Sequence, residues 1–123
     1  VKSGNHITIP TVSEVVREAT ALCDPEGAET AVSALYDGFE DDDRPVTAVE
    51  NLTRDLLETV RAIDPEGDEP AALAAAATAA WLATHPDQAR AGDHALREGV
   101  RLVFHGRPPE PLREWLAGRG IGY

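Results

Sequence analysis

The chain has 123 residues, with 22 acidic against 11 basic side chains, a formal charge of −11, and one cysteine. That length suits one domain able to bury a core without a structural metal, and a lone cysteine excludes a disulfide framework. The acidity opposes binding to nucleic acid, whose phosphates it repels, and no apolar run reaches the ~20 residues that cross a bilayer.

Val1–Pro10 has no apolar stretch of signal-peptide length, so a cytoplasmic protein is expected. Ten of the 11 basic residues are arginine, with Lys2 the exception. High acidity, abundant alanine and scarce lysine suit a halophile, where carboxylates keep a surface hydrated in concentrated salt; an acidic protein from a GC-rich genome fits the same composition. The charge is unevenly spread. Residues 1–89 carry 18 carboxylates against 5 cations, a formal −13, while residues 90–123 carry six arginines against four carboxylates, +2.

In chain order, residues 1–10 read as an extended N-terminal arm. Thr11-x-x-Glu14 is a capping box that opens the first helix, whose Val12, Val15, Val16, Ala19, Leu22 and Cys23 recur on one face. Cys23 on that face predicts a buried, inert thiol. Asp24-Pro25 ends this helix and, with Pro25 at a first helical position, is expected to start the second. Ala28, Ala31, Val32, Leu35, Tyr36 and Phe39 form its inward stripe, and Glu40 to Pro45 read as a charged loop.

A second capping box, Thr47-x-x-Glu50, is expected to open the third helix, with Val49, Leu52, Leu56, Val60 and Ile63 facing inward. Asp64-Pro65-Glu66-Gly67 then repeats Asp24-Pro25-Glu26-Gly27 at an offset of forty residues. The same offset places Glu18 on Glu58 and Cys23 on Ile63, and a further step lays Glu98-Gly99-Val100-Arg101 on Glu58-Thr59-Val60-Arg61. The fourth helix, from Pro70 to Thr84, is nearly all alanine, with Leu73, Trp81 and Leu82 its only large side chains. Its neighbours must approach closely, and Gly92, Ala95 and Gly99 on the fifth helix permit that. Trp81 is expected in the core. Gly106 to Pro109 end the fifth helix, a sixth from about Pro109 to Ala117 presents Leu112, Trp115 and Leu116, and residues 118–123 read as a flexible glycine-rich tail.

The expected fold is therefore all-α: residues 11–117 form a single domain of five to six antiparallel helices. These are tandem helical hairpins with a period of about 40 residues, closed as a bundle or stacked as a short superhelix.

On the fifth helix Arg90, His94, Arg97, Arg101 and His105 share one face, opposite Ala89, Gly92, Leu96, Val100 and Val103. Such a ridge could bind an anion or an acidic partner; charged helix faces are more often solvated and paired with carboxylates. His85, Asp87, Asp93 and His94 carry ligand chemistry but no metal-site spacing. Asp37, Glu40 and Asp41-Asp42-Asp43 fail the calcium-loop pattern, because the twelfth residue from Asp37 is Ala48. No catalytic residue, cofactor or metal is assigned. The expected function is a non-enzymatic protein-interaction or regulatory module that binds a protein partner or a second copy as a homodimer. Its candidate surface is Arg90, His94, Arg97, Arg101, His105 and Trp115. A small metal-dependent enzyme and a nucleic-acid or anion binder using the fifth helix are the alternatives.

Overall fold

A computed structural model describes residues 9–85 and 93–121. Among them the chain is all-helical, six α-helices with no strand, packed as a single compact domain.

Helix α1, Val12–Cys23, begins as the capping box requires: Thr11 Oγ1 accepts from the Glu14 amide at 3.2 Å, and Glu14 Oε1 accepts from the Thr11 amide at 3.0 Å. The Thr11 amide, foremost, and Thr11 Oγ1, which also donates to Glu14 Oε1 at 3.1 Å, hold the Glu14 carboxyl below its ordinary range. The next amides find partners outside the helix. Val12 donates to the Arg44 carbonyl at 2.9 Å and Ser13 to the Asp42 carbonyl at 3.0 Å, while Val46 donates back to Pro10 at 3.0 Å. The early amides that a helix leaves unpaired thus staple the 40–46 loop to the start of α1. Asp42 fixes that loop by a bidentate pair with Arg44, Nη2 to Oδ2 at 2.6 Å, which lowers its own carboxyl pKa.

Helix α2 runs Thr30–Phe39, later than the start expected at Pro25. The reason lies in Asp24, which is the C-cap of α1 and not an N-cap for α2. Its carboxylate accepts from the amides of Ala28 and Glu29, both at 2.9 Å, and Gly27 takes φ +68°, so the turn stays non-helical for several residues. Asp64 does the same to Asp68 and Glu69, at 2.9 and 2.8 Å, with Gly67 at φ +73°.

The second capping box does not form. Val46–Ala48 is a short 3₁₀ turn, Val49 is extended, and α3, Leu52–Ile63, is capped by Asn51, whose side chain accepts from the Arg54 amide at 3.1 Å. Thr47 lies too far upstream to reach an orphan amide of α3.

Helix α4, Pro70–Thr84, has the expected limits, and eleven of its 15 residues are buried. All five other helices pack against it. A helix apolar on every side belongs at the centre, and small side chains let its neighbours crowd in. The closest approach is at Gly99 of α5, Asp93–Phe104, where an added Cβ would lie 2.5 Å from the Ala77 carbonyl oxygen. Trp81 is 6% exposed, filling the volume beside the alanines as expected.

Helix α5 ends at Phe104; His105 (φ +54°) and Gly106 (φ +80°) turn the chain through left-handed backbone. Helix α6, Glu110–Gly118, buries Leu112 and Leu116. Packing continues beyond it: Ile121 is buried and its amide donates to the Leu116 carbonyl at 2.9 Å. Residues 1–8 of the expected arm, and Tyr123 with Gly122 at the end of the expected tail, lie outside the described residues.

Candidate functional site

The fifth-helix ridge divides when built from its side chains. Leu96, Gly99 and Val100 face α4 and force His94, Arg97 and Arg101 outward. His94 and Arg101 are exposed and Arg97 is partly so. Arg97 Nη2 donates to His94 Nδ1 at 3.2 Å. Glu98 stands between the arginines, 3.1 Å from Arg101 Nη1 and 3.8 Å from Arg97 Nε. Such exposed pairs contribute well under ~1 kcal/mol, but they halve the positive charge that the stripe presents.

His105 is exposed but sits in the left-handed turn after α5, so it does not extend the helical stripe. Arg90 lies outside the described residues, as do Asp87 and Gly92. Trp115 is engaged elsewhere: half-buried on α6, it lies under the Arg119 guanidinium at 4.7 Å, and Arg119 Nη2 donates to the Leu22 carbonyl at 3.3 Å. This clasp fastens α6 to the C-terminal end of α1.

Leu102 was not singled out by periodicity, yet it is 46% exposed, with Ile9 the only large apolar side chain so open among the described residues. It lies one residue beyond Arg101, off the inward stripe of Leu96 and Val100, and that misplacement was the available signal.

His94 also meets the core. Its ring stands edge-on to Trp81 at 5.5 Å, while His85 stacks on Trp81 at 4.3 Å with the planes 10° apart. His85 Nδ1 lies 2.9 Å from Thr84 Oγ1 and 3.1 Å from the Trp81 carbonyl. Both imidazoles thereby seal the end of the buried indole. Among the described residues no three His, Cys, Asp or Glu side chains converge as a metal site.

Cys23 is 3% exposed, with Thr78 Oγ1 at 3.9 Å. Burial pushes its thiol up to about 12 from an ordinary 9.0. Because the folded pKa is the higher one, the thiol's contribution to stability is full below pH ~9 and is lost as pH climbs toward 12, by up to about 1.4 kcal/mol per unit. Cys23→Ala should remove that slope in denaturant titrations between pH 8 and 10. Native protein should likewise resist iodoacetamide until it unfolds.

Two clefts flank the Asp-Pro-Glu-Gly turns. One, of about 330 Å³, lies between the second turn, the start of α4 and the α5–α6 connection. The other, about 470 Å³, sits at the first turn between α1 and α2.

No family model, curated protein or solved structure matches the chain.

Proposed function

We propose that the protein is a non-enzymatic interaction module that binds an acidic surface of a partner protein through the outward side of α5. The observation that carries this reading is the exposure of Leu102, at 46%, directly beside Arg101 in the segment where cations outnumber carboxylates. Interface cores are more apolar than the rest of a protein surface and enriched in arginine, which Leu102 beside Arg101 matches. The nucleic-acid alternative finds less support, because Glu98 occupies the middle of the stripe and offsets its arginines.

The scaffold for this surface is read as tandem helical hairpins in a forty-residue register. Asp24 and Asp64 accept the same two amide hydrogen bonds, four and five residues on, and a positive-φ glycine follows each. The clefts at the two turns also occupy corresponding positions.

The test is a pull-down from the source cell at its native salt with wild type and the double variant Arg97→Glu, Arg101→Glu. Both side chains are solvent-facing, so the melting temperature should hold while the captured partner is lost. Undiminished capture by the double variant would reject this surface. Light scattering on the purified protein separates a second copy from a different partner.

A further inference from the structure

The geometry points to a second docking site: the cleft at the second Asp-Pro-Glu-Gly turn accepts a basic segment of a partner protein that inserts one apolar anchor side chain. This site is separate from the α5 stripe, and neither proposal depends on the other.

The floor is apolar. Leu57 and Val60 of α3, Leu73 of α4, Phe104 at the end of α5, and Pro111 and Leu112 of α6 line it, around about 330 Å³ of space. Val60 and Leu112 are buried, but Leu57, Leu73 and Phe104 remain partly open to solvent. That space is at the lower end of what small-ligand clefts offer, enough for one large side chain.

The rim is acidic. Asp64, Glu66 and Glu69 stand there against Arg61 alone. The Asp64 carboxylate is turned inward onto the Asp68 and Glu69 amides, leaving Glu66 and Glu69 as the exposed carboxylates of the rim, beside the exposed Arg61. An acidic rim around an apolar floor complements lysine or arginine flanking a leucine or phenylalanine, with steering from the rim and affinity from the anchor.

The first turn supplies an internal contrast. Its cleft carries Arg17, Thr20 and Ser33 where the second has Leu57, Val60 and Leu73 at the forty-residue offset. Val32 and Tyr36 also line the first cleft, so what sets the second apart is leucine, valine and leucine at those three matching positions. Docking of α6 explains part of it, through Leu112, yet the cleft stays open beside that contact.

The probe is a fluorescein-labelled Lys-Lys-Leu-Phe-Lys-Lys peptide, followed by anisotropy at ~0.15 M salt, where charges beyond ~8 Å are screened. Saturable binding is expected, at least tenfold weaker for Lys-Lys-Ala-Ala-Lys-Lys and for the folded variant Glu66→Lys, Glu69→Lys. The matching first-turn variant, Glu26→Lys with Glu29→Lys, makes the same change in net charge and should bind as wild type does. Arg97→Glu with Arg101→Glu should not weaken binding either. Absence of binding up to ~1 mM peptide, equal binding of the alanine peptide, or equal weakening by the first-turn variant would each overturn the proposal.

Discussion

Gly99→Ala lowers stability by about 2 kcal/mol, although alanine is the better helix former by ~1 kcal/mol. The added Cβ would stand 2.5 Å from the Ala77 carbonyl oxygen, 2.8 Å from its carbon and 3.0 Å from Thr78 Cα. All three are backbone atoms of α4, so no side chain can rotate out of the way. The helices must part, and overpacking of a dense core costs ~1–3 kcal/mol or more. For a chain of this size the loss corresponds to a fall of roughly 8 °C in melting temperature, and Gly99→Val should cost more. Gly118→Ala is the matched control, since nothing lies within 4 Å of its new Cβ and its φ is not positive. It should be neutral or slightly stabilising in the same denaturant titration. A Gly99→Ala protein as stable as wild type would mean that α4 and α5 are not in close backbone contact.

The larger loss is expected at Trp81. It is 6% exposed on a helix whose other buried residues are alanines, Thr78 and Leu82. Truncation to alanine should cost ~3–5 kcal/mol, because the short side chains around it cannot collapse into the void. It also strips His85 of the ring it stacks on at 4.3 Å and His94 of its edge contact. Against a total of ~5–15 kcal/mol for an ordinary domain, this variant should be close to unfolding at 25 °C. Trp81→Phe, which keeps a ring against His85, should recover most of the loss. A Trp81→Ala variant within ~1 kcal/mol of wild type would contradict the central position of α4.

Helix placement was legible wherever a local chemical signal was strong. Thr11 with Glu14 marked α1, Pro70 marked α4, and the alanine content of α4 with Gly99 opposite it predicted close packing. The readings failed where two local signals competed. Pro25 looked like a helix opener, but Asp24 reaches across to Ala28 and Glu29 and delays α2 to Thr30. Thr47 with Glu50 had the form of a cap, yet Asn51 takes that role once Val46–Ala48 coil into a 3₁₀ turn.

The candidate surface was only partly legible because side-chain pairing is not visible in helical spacing. Arg97 and Arg101 shared a face as expected, but Glu98 reaches both of them, and His105 left the helix at its left-handed exit. Trp115 lay under Arg119, a contact whose other end is the Leu22 carbonyl far away in sequence. The cleft at the second turn gave no signal at all, since its walls come from four helices.

The central claim is that the outward side of α5 is a protein-binding surface. It is tested most directly by a photo-crosslinking amino acid placed at Leu102, and separately at the exposed Glu58 on α3, in the native cell. Irradiation should give a discrete crosslinked species from position 102, lost when Arg97→Glu and Arg101→Glu are added, and none from position 58. Crosslinks from position 58 alone, or a position 102 adduct indifferent to the two arginines, would contradict the claim.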